Sequence, residues 1–155
     1  MTPETIISIF LGIGLAASVG FRVFVPLFAL SLASYFNVWE LNESWQWIGS
    51  LAAVITLGVA TVVEIFAYYI PYIDNLLDTI AVPLAAVAGT AVMVSTVADL
   101  SPVVTWSLAI IAGGGTAAAI KGTSGATRLT STATTGGLGN PIVSTVETGT
   151  SIVMS

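Results

Sequence analysis

The stretch TIISIFLGIGLAASVGFRVFVPLFALSLASYF, residues 5–36, decides the fold. A membrane-spanning helix needs about 20 apolar residues, so this stretch is too long for one span and too short for two spans with a loop. Gly20 and Pro26 interrupt it. We expect two short helices, about 5–19 and 23–36, that meet at a break facing protein or a water-filled cavity. The alternative is one long, tilted helix that is kinked at Pro26.

Composition places the whole chain in a membrane. Hydrophobic residues make up 55% of the 155 residues and charged residues 7%, whereas about a quarter of a soluble domain is charged. The net charge of −5 argues against nucleic acid as a partner. The sequence has no Cys and no His, which excludes thiolate or His-ligated metal sites and Ser-His-Asp or Cys-His catalysis. No cofactor, metal site or catalytic residue is predicted.

Further apolar segments follow the first stretch. We expect a span at 47–70, an interfacial turn at 71–80, a segment at 81–97, a span at 103–120 and a short last segment at 142–154. Pro83 is acceptable in the first turn of its segment. Small residues crowd 112–139, which is typical of closely packed membrane helices; a flexible linker is the alternative. Gly136, Gly137 and Pro141 predict a second helix break.

Together these segments predict an all-α, polytopic helical membrane protein. We expect about five to seven membrane segments, including broken or re-entrant helices near 20–26 and 136–141. Residues 1–155 are expected to form a single integral membrane domain, with a weak two-half arrangement of about 1–80 and 81–155. Paired Gly/Pro interruptions in two halves of a membrane chain point to inverted-repeat transporters and their binding sites.

Charged side chains within apolar segments are the candidate functional residues, because each costs about 2.5–3.5 kcal/mol at a helix centre. Lys121 and Arg128 are seven residues apart and share one helix face. They can line an anion-accepting path with nearby hydroxyls, or form ion pairs with Glu64, Asp74 and Asp78 that hold the bundle together. Arg22 is expected to reinforce an anion site at the first break, or to pair with Glu64 or Asp74. The predicted substrate or ion path comprises Arg22, Glu64, Asp74, Asp78, Lys121, Ser124, Arg128, Thr132 and Asn140.

Three separated blocks carry a family resemblance. They are GLAASVGFRVFVPLFAL at 14–30, Glu64 with the motif Pro71-x-x-Asp74-x-x-x-Asp78, and ATRLTSTATTGGLGNPIVSTVE at 126–147. These blocks cover most of the chain and resemble the DUF4126 family of small, poorly characterised bacterial inner-membrane proteins. The resemblance implies an all-helical membrane fold and supplies no reaction.

The leading functional hypothesis is a small membrane transporter or channel for an ion or polar solute, anions included. Its path would be lined by the broken helices and the Ser/Thr/Gly-rich helix. The alternative is a non-transporting accessory or structural subunit of a larger membrane complex. Asp74 and Asp78 lie one turn apart but lack an accompanying nucleophile or metal constellation, so no enzyme is predicted.

The expected location is the bacterial cytoplasmic (inner) membrane, as a multi-pass protein. Membrane lipids should surround the chain, which is small enough that it is expected to form a homo-oligomer or to join a membrane-complex partner. Nucleic acid is not expected among the partners.

Overall fold

The computed structural model describes the backbone of residues 1–155 and every side chain except those of residues 71, 72 and 75. Helices make up most of the chain, which confirms the predicted all-α class. In chain order they are α1 (Pro3–Phe21), α2 (Phe24–Tyr35), a 3₁₀ helix (Glu43–Gly49), α3 (Leu51–Ala67), α4 (Pro71–Thr96), α5 (Pro102–Leu108), a π-helical segment (Ala109–Gly114), α6 (Gly115–Thr135) and α7 (Asn140–Met154).

The first helix break lies at Arg22 and Val23, between α1 and α2. The hydroxyl of Thr2 caps the start of α1, and the helix ends where Arg22 adopts an extended conformation, with φ −142° and ψ 125°. The predicted pair of short helices is confirmed, rather than one kinked helix. Gly20 and Pro26 flank the break, because Gly20 belongs to α1 and Pro26 to the first turn of α2.

The centre of the bundle is formed by α1, α4 and α6, which pack against one another. Glycines allow the close approach of their backbones. A Cβ atom on Gly89 of α4 would lie 2.6 Å from the carbonyl oxygen of Gly113 in the π-helical segment, and a Cβ on Gly20 would lie 2.5 Å from Cβ of Ile120. Gly20 therefore serves the crossing of α1 and α6, and small residues set the helix spacing as in other membrane bundles.

The continuity of α4 corrects the sequence prediction for this region. An interfacial turn at 71–80 and a separate segment at 81–97 are expected from the sequence, whereas one helix covers both. Pro83 lies inside this helix and not in the first turn of a new one. Membrane helices tolerate an internal proline because neighbouring helices and local adjustments of the backbone compensate for the missing N–H.

The stretch Pro102–Thr135, which contains α5, the π-helical segment and α6, is one continuous helical rod. The small-residue stretch 112–139 lies mostly within it, so the linker alternative is wrong. The rod ends at Gly136, whose φ is +65°, and Gly137 follows with φ +90°. Only glycine adopts such left-handed values readily. This is the predicted second break, and Pro141 lies in the first turn of α7.

Three helical stretches are long and apolar enough to span a membrane. They are α1, the part of α4 at Leu76–Thr96, and the rod. The 3₁₀ helix and α3 form a fourth span if this pair, bent by 63°, is taken as one, and α2 is a shorter apolar helix. The chain is therefore a helical membrane protein.

The last helix, α7, buries its polar side. Its buried residues are Asn140, Ser144, Glu147 and Ser151. Its exposed apolar residues are Ile142, Val146, Ile152, Val153 and Met154. A helix on a soluble domain has the opposite arrangement. The hydroxyl oxygens of Ser18 on α1 and Ser151 lie 2.9 Å apart, which ties this polar side to the bundle.

Candidate functional site

All three basic side chains of the protein surround the ring of Tyr68, the residue that follows α3. The guanidinium carbons of Arg22 and Arg128 lie 4.1 Å and 4.5 Å from the ring centroid, and Nζ of Lys121 lies 4.9 Å from it. The exposed fractions of Arg22, Lys121 and Arg128 are 0%, 1% and 3%. Each desolvated cation–π contact of this kind contributes about 2 kcal/mol. We define the charge cluster as these three basic residues, Tyr68 and the buried carboxylates around them, which are Glu64, Asp74 and Glu147.

Glu147 of α7 supplies the central carboxylate of the charge cluster. Arg22 Nη1 donates a hydrogen bond to Oε2 of Glu147 at 2.7 Å. Arg128 donates to the same carboxylate through Nε, at 3.3 Å, and through Nη2. Ser124 of α6 donates to Oε1. Both carboxylate oxygens are therefore satisfied, which is the condition under which a buried charge is tolerated.

Asp74 of α4 approaches the same cations less closely. Its Oδ2 lies 3.8 Å from Nη1 of Arg128, which is an ion pair but too long for a hydrogen bond. Within the described side chains, Asp74 Oδ1, Arg128 Nη1 and Asn140 Oδ1 are buried without a hydrogen-bond partner. Each such atom costs about 1–3 kcal/mol. One donor and two acceptors from three helices are thus left free to bind water or a solute.

Glu64 of α3 caps the start of α2 from outside that helix. Its Oε1 accepts the backbone N–H of Val23 at 2.8 Å, and its Oε2 accepts that of Phe24 at 2.9 Å. The N-cap residue of α2 makes no side-chain capping bond of its own. A carboxylate is stabilised at a helix N-terminus by the helix dipole. The anion site that the sequence predicts at the first break is therefore occupied by the protein's own carboxylate.

Lys121 of α6 is the basic residue with the weakest compensation. Its Nζ donates to the carbonyl oxygen of Phe21 at the end of α1, over a long distance of 3.4 Å. Among the described side chains no carboxylate forms an ion pair with it. The carbonyl group and the ring of Tyr68 are its recorded contacts, which leaves ammonium hydrogens to be satisfied in a buried position.

Two crevices that are lined by described residues approach the charge cluster. The α6–α7 crevice has a volume of about 540 Å³, and its lining includes Glu147. The α3 crevice lies among α2, α3 and α4, has a volume of about 180 Å³, and its lining includes Glu64. Phe21 lines the first crevice and Val23 lines the second, so the buried Arg22 lies between them in the chain. Apart from these carboxylates and a few hydroxyl groups, their walls are mainly apolar.

Most of the residues predicted for the path lie in or beside the charge cluster. Seven of these residues are buried: Arg22, Glu64, Asp74, Lys121, Ser124, Arg128 and Asn140. Asp78 is half-buried on α4, and no described side chain forms an ion pair with it. Thr132 is exposed, and its hydroxyl accepts a hydrogen bond from Asn140 at 3.1 Å. Thr132 therefore lies at the edge of the set, and the functional role of the set stays a prediction.

The ion pairs differ in part from those expected. Arg22 pairs with Glu147, so the predicted pairing of Arg22 with Glu64 or Asp74 is wrong. The reason is that Glu64 is engaged by the backbone N–H groups next to Arg22. Arg128 does pair with Asp74, as expected, but its closer partner is again Glu147.

Sequence reasoning missed Glu147, Tyr68 and Ser144. Glu147 is the single charged residue of the last apolar segment, and the rule that marks buried charges as candidates applies to it. Ser144 accepts from Arg128 Nη2 at 2.8 Å and donates to the carbonyl oxygen of Tyr68 at 3.3 Å. The spacing of Asn140, Ser144 and Glu147, four and then three residues, was a readable signal of one polar helix face.

The charge cluster has the chemistry of an ion-binding site. Its cations and carboxylates lie in a low-dielectric interior, where electrostatic interactions are stronger than in water. They come from the first break and from α3, α4, α6 and α7, so helix movements would change the distances among them. Such groups can bind an ion or a polar solute, and protons can be transferred between the carboxylates.

Comparison with known proteins agrees with the resemblance noted in the sequence. No curated protein and no solved structure matches this chain. A family model described as a domain of unknown function, DUF4126, matches residues 9–155, which is nearly the whole chain. The family blocks contain Arg22, Glu64, Arg128 and Glu147, so the charge cluster lies inside the matched region. The chain belongs to the DUF4126 family.

Proposed function

We propose that this protein is a small membrane transporter or channel for an ion or polar solute, and that the charge cluster is its binding site. The observation that carries the proposal is that two crevices each include one carboxylate of the cluster, Glu147 in the α6–α7 crevice and Glu64 in the α3 crevice. Arg22, at the first helix break, follows a residue that lines the first crevice and precedes one that lines the second. A solute that enters either crevice would therefore meet a carboxylate of the charge cluster.

The energetic cost of the cluster supports a functional role. Six charged side chains, Arg22, Glu64, Asp74, Lys121, Arg128 and Glu147, are buried in a protein with very few charges. A helix-locking role alone would require fewer, since apolar packing holds membrane helices without burying charge. Among the described side chains four buried polar atoms lack partners, and three of them, Asp74 Oδ1, Arg128 Nη1 and Asn140 Oδ1, lie in or beside the cluster, which favours a site that binds a solute. Discontinuous helices around a midplane site are a recurring feature of transporters.

Flux through reconstituted protein is the direct test. The purified chain in liposomes should move one or more members of a panel of inorganic ions and small polar metabolites. Arg22→Ala and Lys121→Ala should abolish that flux, because each removes a cation of the proposed site. Glu43→Gln is the matched control, since Glu43 is exposed in the 3₁₀ helix away from the cluster. Absence of flux for every solute, with monodisperse protein, would refute the proposal.

The same experiment separates the alternative role. An accessory subunit would show no flux alone and would co-purify with a stoichiometric membrane partner after mild detergent extraction. We infer that the protein resides in the bacterial cytoplasmic membrane as a multi-pass protein. We further infer that it acts as a homo-oligomer among membrane lipids, since one copy is small for a complete path. A mass measurement in detergent tests the oligomeric state.

A further inference from the structure

Two buried carboxylates of the charge cluster differ in how their charge is compensated. Glu147 accepts hydrogen bonds from two arginines and one serine. Glu64 accepts hydrogen bonds from two backbone N–H groups, and none of the three basic side chains, all of which are described, forms an ion pair with it. Both line a crevice with apolar walls. The two carboxylates are therefore similarly buried, and each borders a crevice, but only Glu147 forms ion pairs with basic side chains.

The six buried charges around Tyr68 balance when Glu64 is ionised, and the half-buried Asp78 adds one carboxylate that no basic residue matches. The three basic residues face four acidic residues, which are Glu64, Asp74, Asp78 and Glu147. A net charge inside a low-dielectric region is costly, and neutralisation by a proton is the usual way to remove it. Glu147 and Asp74 are held by arginines, so Glu64 and Asp78 remain. Of these, Glu64 is the more deeply buried.

The groups that face Glu64 come from every neighbouring element. Arg22 at the break and Lys121 on α6 lie within electrostatic reach of it. Asp78 on α4 and the phenol of Tyr68, which follows α3, share its surroundings. The other residues that line the α3 crevice are apolar: Val23, Phe24, Ala60, Val63, Ala67, Leu77, Ile80, Ala81 and Leu84.

We propose that Glu64 is a reversible proton-binding site, reached through the α3 crevice, that links α3 to the start of α2. In the ionised form, each carboxylate oxygen accepts one backbone N–H of α2. Uptake of a proton converts the carboxylate into a carboxylic acid, in which the carbonyl oxygen accepts well and the hydroxyl oxygen accepts poorly. One of the N–H groups of Val23 and Phe24 then loses its partner.

Proton uptake at Glu64 therefore loosens the contact between α2 and α3. The single hydrogen of the Thr61 hydroxyl is shared between the carbonyl oxygen of Leu57 in the same helix, at 2.7 Å, and that of Phe24 across this contact, at 3.1 Å, and this bond is insensitive to pH. Glu64 is thus the titratable part of the junction. If the transport proposed above also holds, on which this last step rests, protonation of Glu64 couples solute movement to a proton gradient.

A hydrophobic carbodiimide tests the proton site on the native chain. Dicyclohexylcarbodiimide reacts with the protonated form of a buried carboxyl group: the acid proton passes to one nitrogen and the carboxyl oxygen adds to the central carbon, which gives an O-acylisourea. The acyl group then migrates from that oxygen to the other nitrogen, so that its carbon–oxygen bond breaks, a carbon–nitrogen bond forms and a stable N-acylurea remains. The purified full-length protein in detergent micelles is treated at a series of pH values, and the modified residues are located by peptide mass spectrometry.

We expect labelling at Glu64 and little at Glu147, although the crevice beside Glu147 is the larger one. The labelled fraction at Glu64 should fall by about tenfold for each pH unit above its titration. Glu147 is thus an internal control for access in the same molecule. Labelling confined to Glu147, equal labelling of both, labelling independent of pH, or no labelling at Glu64 would overturn the proposal.

The coupling step has a separate readout. In liposomes of neutral phospholipid, an imposed proton gradient should change the flux of the native chain and leave that of Glu64→Gln unchanged, since the amide cannot take up a proton. pH-dependent labelling without flux would retain the proton site and remove the transport proposal. Flux that responds to the gradient equally in both proteins would overturn the coupling by Glu64.

Discussion

Glu147 connects the two arginines of the charge cluster. It pairs with Arg22 and Arg128, which approach from the first break and from α6, and it accepts a bond from Ser124. Its removal affects several elements at once, because both guanidinium groups remain buried. A buried cation that loses its counter-charge destabilises a fold far more than an exposed one.

The substitution Glu147→Gln should therefore lower the free energy of unfolding by about 3 kcal/mol. The amide keeps the shape of the side chain but removes the charge that both arginines face. Glu43→Gln makes the same chemical change at an exposed position and should alter stability by less than about 0.5 kcal/mol. Unfolding in mixed detergent micelles measures both. Equal midpoints for the two variants would show that the ion pairs do not stabilise the fold.

Part of the cluster was predictable residue by residue. Lys121 and Arg128 are charged residues in a small-residue helix, and their spacing alone places them on one face. Their partner could not be chosen from the sequence, because pairing depends on how α6 and α7 cross. Glu147 was overlooked since its segment is short and otherwise looks like an ordinary apolar helix. Tyr68 resembles an interfacial aromatic residue in the sequence, yet it is 3% exposed in the structure.

At the scale of elements, glycines at helix crossings and glycines on open faces should respond in opposite ways. Gly89→Ala places a methyl group against the backbone of Gly113 and should destabilise the bundle by about 1–3 kcal/mol. Gly122→Ala, in α6, meets no atom within 4 Å and should stabilise that helix by up to about 1 kcal/mol. Unfolding of both variants in the same micelles is the measurement. Shifts of the same sign would contradict the described crossing of α4 with the π-helical segment.

The helix breaks were predictable from local chemistry, whereas the continuity of α4 was not. Gly136 and Gly137 adopt left-handed backbone conformations, which glycine reaches without the steric penalty of a side chain. Pro83 also suggests an interruption, yet it lies within an unbroken helix. The helix that contains it packs against α1 and α6, which are remote in the sequence. Local signals therefore located the ends of α6 and α1, and tertiary packing decided the extent of α4.

In the whole molecule, polar and charged side chains lie in the interior and apolar side chains lie on the surface. The interior contains the charge cluster and the buried serines of α1 and α7, while apolar side chains such as Val59, Phe66 and Val146 are exposed. This arrangement is expected in a bilayer, because lipid tails cannot form hydrogen bonds with exposed polar groups. The sequence already indicated the membrane location by its composition. It did not indicate that the last helix belongs to the polar interior.

The gathering of every lysine and arginine around Tyr68 also bears on how the chain enters the membrane. Cells orient membrane proteins by retaining positively charged loops on the cytoplasmic side. Here the loops carry acidic residues, such as Glu40 and Asp99, and no positive charge. Within residues 1–155 the loops therefore supply no positively charged topological signal.

Two lysines placed in the loop after α2 should supply that signal. Val38→Lys with Glu40→Lys changes exposed positions only, and the loop should then be held in the cytoplasm. Reporter fusions at the loop measure its side in both proteins. Val38→Gln with Glu40→Gln is the matched control, polar but uncharged. If the native loop lies outside and the lysines leave the reporters unchanged, the helices themselves set the orientation. In that case the protein can bury all of its basic side chains and still keep a defined orientation in the membrane.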